Sequence, residues 1–192
     1  YNPALTPVIL ERLVSGGEHD YVRLALVELL PRTGGEWDDA LVDLYATEQS
    51  ADVRSVMVEV TRRADPTDAR ALLMQAAADD SALVRAAVMR TIPYVDDGEG
   101  MSAHLIAGLT DANSEVRSFA ARSAGWTGLT EAWDGLVVLL ADSEPEIRLH
   151  ALRALERLDA DKAATLVELD RLEIDIDSRV SRAAKQVRTK SR

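Results

Sequence analysis

The chain has 192 residues, 22 Lys+Arg against 33 Asp+Glu, and a formal net charge of −11. That balance works against a surface that coats nucleic acid, whose affinity comes from neutralised phosphates, and against adhesion to an anionic membrane. The absence of cysteine excludes disulfides, thiolate nucleophiles, Cys-held zinc and iron–sulfur clusters, while 47% hydrophobic residues with a single Phe point to a folded chain with an aliphatic core.

Apolar periodicity marks a succession of helix pairs. In residues 1–32, Leu5, Val8 and Ile9 lie on a first helix, and Val22, Leu26, Val27 and Leu30 on a second, with Gly16-Gly17 between them. In 33–64, Gly34-Gly35 precede Leu41, Leu44 and Tyr45, and Val53, Val56, Met57 and Val58 follow. In 65–96, Asp65-Pro66-Thr67 reads as a helix start ahead of Leu72, Leu73 and Ala76; Val84, Val88, Met89 and Ile92 mark the second helix. Residues 97–127 carry Leu105, Ile106 and Leu109, then Val116, Phe119, Ala120 and Ala121. Residues 128–159 carry Leu136, Val137 and Leu140, then Ile147, Ala151, Leu152 and Leu155. Residues 160–192 carry Leu166, Val167 and Leu169, then Val180, Ala183 and Ala184. Pro31 and Pro93 fall at helix ends, and Ser143-Glu144-Pro145-Glu146 reads as a capping box with Pro in the first turn. No segment alternates with period two, so no strands are expected. No apolar run reaches the roughly 20 residues of a membrane span. No signal peptide is visible and the chain opens on Tyr1 rather than Met; the expectation is a domain of a larger protein with a cytoplasmic address.

One dipeptide sets the register of the pairs. Val22-Arg23, Val53-Arg54, Val84-Arg85, Val116-Arg117 and Ile147-Arg148 follow one another at 31, 31, 32 and 31 residues, and Val180-Ser181 is a weaker sixth copy. With the Val or Ile as column zero, columns zero, four, five and eight form one apolar helical stripe. A single pair cannot cover such a stripe, but stacking buries it between neighbours. The fold class read from this is all-α: an α-solenoid of six stacked antiparallel helix pairs, forming one domain over 1–192. An acidic residue precedes the Arg by six positions in four copies: Glu48/Arg54, Asp79/Arg85, Asp111/Arg117 and Asp142/Arg148. The first copy has Gly17 in the acidic slot, and the sixth has Asp175 without the Arg. Recurrence at the period of the fold marks these pairs as structural rather than catalytic.

The copies at 79–87, 111–117 and 142–148 resemble the HEAT-repeat family, in particular the short bacterial HEAT-like repeats also found in phycobilin lyase subunits. The resemblance spans nearly the whole chain. It implies that the acid and Arg form a ladder linking adjacent turns, and that the second helix of each pair lines a concave face.

Contacts to a partner are expected on the columns opposite the buried stripe. At 100° per residue these are columns two and six. Column six reads Glu28, Glu59, Arg90, Arg122, Arg153 and Gln186; column two reads Leu24, Ser55, Ala86, Ser118, Leu149 and Arg182. The expected surface is acidic over the first two repeats, then carries an arginine row suited to bidentate binding of carboxylates along an acidic peptide. Small residues in column two would leave room for it, and Tyr94 and Trp126 would serve as aromatic anchors. The last stretch, from 176, carries six basic residues against Asp177 and reads as a polar cap.

No catalytic pattern competes with this reading. His19, His104 and His150 stand at unrelated columns, and no His-Glu dipeptide exists, unlike the repeated His-Glu pairs of deoxyhypusine hydroxylase, a HEAT-like enzyme. No phosphate-binding loop or nucleophile elbow is present. The function expected is a non-enzymatic protein-interaction scaffold, monomeric, with no cofactor and no metal, whose partner is another protein or another domain of its parent chain. The alternatives from the resemblance are phycobilin lyase-type chromophore transfer and an alkyl-base DNA glycosylase, for which Trp37, Trp126 and Trp133 are available.

Overall fold

The computed structural model describes residues 2–95 and 100–190, the last by its backbone alone. Tyr1, Arg192, the side chain of Lys190 and the expected repeat boundary at 96 and 97 lie outside the described residues. Thirteen α-helices and no strands occur among them. The fold class is the all-helical solenoid of repeated helix pairs. The chain divides into two compact units, Tyr1–Met101 and Ser102–Arg192.

The first unit holds three pairs: α1 (Leu5–Ser15) and α2 (Asp20–Thr33), α3 (Asp38–Thr47) and α4 (Ala51–Val60), α5 (Pro66–Ala76) and α6 (Ala82–Val95). First helices pack in one layer, α1 on α3 on α5, and second helices in another, α2 on α4 on α6. The core between the layers is aliphatic, with Leu30, Leu41, Met57, Leu72, Leu73 and Ile92 among its fully buried side chains. In α1 the buried stripe is Thr6, Ile9 and Leu13, a spacing that one helix face allows. Leu5 and Val8, expected in the core, fall beside that stripe and are exposed. Gly16 and Gly34 end α1 and α2 at φ 68° and 77°, a left-handed cap that glycine reaches without a Cβ clash. Pro31 and Pro93 sit inside the last turns of α2 and α6 rather than beyond them.

The second unit repeats the plan with shorter first helices. α7 (Ser102–Gly108) precedes α8 (Ser114–Thr127), α9 (Trp133–Leu139) precedes α10 (Pro145–Leu158), and α11 (Ala160–Ala164) with α12 (Glu168–Leu172) precedes α13 (Ser178–Lys190). The expected first helix of the sixth repeat is thus two short helices, and Val167 at the break is 78% exposed. The capping box at Ser143 does not form. Glu144 rather than Ser143 is the N-cap, and its side chain makes no cap bond; the Ser143 hydroxyl lies beside Asp142, at 3.5 Å from its Oδ1.

Column zero is buried from Val53 onward, in Val53, Val84, Val116, Ile147 and Val180. Column two departs from expectation. Ser55 is 6% and Ala86 1% exposed, because second helices pack side by side and this column lies in the seam. In the second unit that seam is small-residue packing: Ala121, Ala124 and Gly125 of α8, Ala151 and Ala154 of α10 are all buried. A Cβ placed on Gly125 would lie 2.7 Å from Ala154 Cα and 2.8 Å from its Cβ. Overpacking of this kind costs about 1–3 kcal/mol, more than the roughly 1 kcal/mol that a helix gains from Gly to Ala. Gly125→Ala is therefore expected to lower the thermal midpoint in a calorimetric scan, and an unchanged or raised midpoint would contradict the close crossing.

Candidate functional site

The turns ahead of α4, α6, α8 and α10 are closed by one guanidinium each. Arg54 Nη1 donates to the carbonyls of Glu48 and Gln49 at 3.1 and 2.9 Å. Arg85, Arg117 and Arg148 do the same to the carbonyls of residues 79 and 80, 111 and 112, and 142 and 143. The carboxylate six residues back does not receive its own Arg. It receives the Arg of the preceding repeat: Arg23 reaches Glu48 at 2.9 Å, Arg54 grips Asp79 with bonds of 2.7 and 2.9 Å, Arg117 grips Asp142 at 2.8 and 3.2 Å, and Arg148 grips Asp175 twice at 2.7 Å. Each carboxylate also accepts the backbone N–H two residues on, as Ser50 to Glu48, Ser81 to Asp79, Asn113 to Asp111 and Asp177 to Asp175 show. Tyr45 adds a third bond, its hydroxyl donating to Asp79 at 2.5 Å, and burial together with that bond pushes the phenol up.

Burial alone would raise the Asp79 carboxyl, but Arg54, Tyr45 and the Ser81 N–H outweigh it and hold the group at about 2. Asp142, also raised by burial, is held down by Arg117 and the Glu144 N–H; Arg148 lowers Asp175. A carboxyl depressed in the folded state contributes stability above its unfolded pKa of about 3.9 and loses it as pH falls through the folded value. The chain should therefore lose stability between about pH 4 and pH 2. Asp79→Asn keeps an acceptor for the Ser81 N–H but loses the charge, which costs about 1–3 kcal/mol at neutral pH. Its acid-unfolding curve, followed by circular dichroism, should be shallower than that of the parent chain; parallel curves would exclude the ladder as the acid-sensitive element.

The outer face of the second helices carries column six. In the first unit Glu28 and Glu59 line an open groove of about 440 Å³ with Arg32, Val56, Val60, Arg62 and Arg63. Arg90 pairs with Glu59 across α4 and α6, and Arg62 lies 5.3 Å from the ring centre of Tyr94, which is 56% exposed. In the second unit Arg153 bonds Glu156 at 2.8 Å and Gln186 of α13 at 2.9 Å. Arg122 stacks 4.8 Å from Phe119 and 5.6 Å from Trp126. Trp126 is 50% exposed, whereas Trp37 and Trp133 are buried, so the glycosylase reading keeps one surface tryptophan of its three. Of the three expected arginines, Arg90 belongs to the first unit, and Arg122 and Arg153 to the second.

Three further residues stand on the second-unit face: Arg157, outside the expected columns; His150, expected to be an isolated histidine; and Ser118, expected only as a small column-two residue. Arg157 lies 6.0 Å from the Trp126 ring centre; its position four after Arg153, one turn along the helix, is the signal that could have found it. His150 Nδ1 is 2.9 Å from Ser118 Oγ, and its Nε2 is 3.9 Å from Glu146. Nothing in the local sequence distinguishes His150 from a packed helical histidine. Among the described residues no group of three or more acidic or histidine side chains could hold a metal ion, and no helix is long and apolar enough to cross a membrane.

Stacked helix pairs bound by an Arg–acid ladder define an all-α helical-repeat fold. The sequence model for HEAT repeats matches residues 102–187, so the second unit carries HEAT repeats. Among solved structures the chain is similar to a designed armadillo repeat protein in complex with the peptide (KR)4, with a TM-score of 0.68, 18% identity, and coverage of 97% of this chain and 99% of that one. It is similar to an engineered protein at TM-score 0.63 and 18% identity over 93% of both chains. It is also similar to Cex1p at TM-score 0.68 and 15% identity, over 98% of this chain and 42% of that one. No curated protein matches the sequence.

Proposed function

We propose that this protein is a non-enzymatic binding scaffold whose outer second-helix face takes an acidic segment of another protein or of its own parent chain. Helical-repeat solenoids are typical protein-binding scaffolds, and the designed armadillo repeat protein of similar fold is in complex with a peptide, (KR)4. The observation that carries the reading is Arg122. It is held in place by two aromatic rings and has no carboxylate partner among the described residues. A guanidinium fixed in this way meets a carboxylate at little ordering cost. The exposed Trp126 ring beside it supplies apolar contact area.

A short oligoglutamate peptide titrated into the protein should change the fluorescence of Trp126, since the other two tryptophans are buried. Charge reversal by Arg122→Glu should weaken that binding by about tenfold or more, equivalent to about 1.4 kcal/mol. The thermal midpoint should move little, because an exposed cation–π contact contributes only about 0.5–1 kcal/mol. Equal affinity of the parent and variant proteins would remove the reading.

A further inference from the structure

The close crossing of α8 and α10 at Gly125 and Ala154 gathers one set of side chains around a depression of about 60 Å³: Arg122, Trp126, His150, Arg153 and Arg157. Every charged group in this lining is cationic. The depression is small beside the neighbouring groove of about 450 Å³, a scale that suits one side-chain carboxylate. Arg153 is paired with Glu156 at 2.8 Å. Arg122 and Arg157 face the Trp126 ring without a carboxylate among the described residues. The field changes sign along the same two helices: the neighbouring groove, of about 450 Å³, is lined by Glu115, Glu144 and Glu146, with Arg122 and His150 at the boundary.

We infer that this depression is a pocket for one aspartate or glutamate side chain of the partner, gripped by Arg122 and Arg157 and by His150 in its protonated form. The inference rests on the acidic-segment reading above and adds where the carboxylate sits and what controls its occupancy. His150 is oriented by Ser118 of α8. The groups acting on it are Arg122 from α8, with Glu115 at the groove rim; Glu144, Glu146, Arg153 and Arg157 from α10; and Arg179 from α13. α9 and α11, also packed on α10, place no charged group in either cavity. Burial lowers the imidazole below its ordinary value, Glu146 raises it, and Arg122 and Arg179 lower it. A carboxylate between Arg122 and His150 cancels the push from Arg122, so binding takes up a proton. By linkage, affinity rises as pH falls through the histidine range while the ligand carboxylate stays ionised.

The test is binding of oligoglutamate, read by Trp126 fluorescence, from about pH 7.5 to about pH 5.5. The parent protein should bind severalfold tighter at the acid end. His150→Gln should bind with little pH dependence, and Arg157→Gln should weaken binding at every pH. In the free protein, Arg122→Gln should raise the His150 pKa measured by NMR, a readout that needs no ligand. Peptide binding that is sensitive to Arg122→Glu but keeps its pH dependence in His150→Gln overturns the pocket and leaves the scaffold reading standing. No peptide binding at any pH overturns both. Free glutarate or inorganic phosphate binding as tightly as the peptide overturns the assignment to a partner side chain.

Discussion

The structure depends on a guanidinium that does two jobs at once. Its Nη1 edge closes its own turn by bonding two consecutive carbonyls, and its Nε and Nη2 edge grips the carboxylate of the next turn. Arginine alone has the planar fork for both tasks; a lysine ammonium could meet one carboxylate but not hold two directions in a fixed angle. The carboxylate is likewise divided between the incoming Arg and a backbone N–H of its own turn. The turns at Glu48, Asp79 and Asp142 are therefore braced from within and from behind, which fixes the N-termini of α4, α6 and α10. The charge pairs are largely buried, with Asp79 7% and Arg54 16% exposed at the side chain. Desolvation at that depth is outweighed by the Arg54, Tyr45 and Ser81 N–H bonds, which leave the pair favourable.

The ladder explains why its outermost members differ. Arg23 points forward to Glu48 and needs no acid before it, so Gly17 is tolerated in that slot. Asp175 receives Arg148 from behind, and Ser181, standing where the next Arg would be, bonds the Glu173 carbonyl at 2.8 Å. The hydroxyl braces the turn as the guanidinium does elsewhere, without reaching onward.

Legibility in the sequence followed the same physics. The period of the Val-Arg dipeptide and the column-zero stripe were readable, because burial and the ladder act on every copy alike. The pairing direction of the ladder was not, since six residues within a repeat and about 25 across repeats satisfy the same residue types. Column two was misjudged because a helical wheel treats each helix alone. In a layer of parallel neighbours the sides of a helix are buried as well as its floor, which Ser55 and Ala86 show. The capping box at Ser143 was placed one residue early: α10 starts at Pro145 with Glu144 as its N-cap, and the Ser143 hydroxyl turns to Asp142 instead of the helix. On the candidate site, Arg122, Arg153 and Trp126 were legible from their column. His150 and Ser118 were not, because their meeting depends on how closely α8 and α10 approach, and that is set by Gly125 against Ala154.

A net charge of −11 and a cationic pocket for an acidic ligand are compatible because the two act over different distances. At physiological ionic strength charges are screened over about 8 Å, so an approaching peptide feels the mean field of the surface only within its last layers of solvent. Inside the depression the relevant charges are the three arginines and His150, in a volume from which most water is displaced on binding. The surrounding carboxylates, including Glu144 and Glu146 beside the groove, repel acidic segments that lack a residue placed to reach the pocket. Net charge thus sets which ligands approach readily, and the local constellation sets which one stays. On the proposed reading, an acidic protein with a basic depression would discriminate among acidic partners by position, where a uniformly basic face would hold them all.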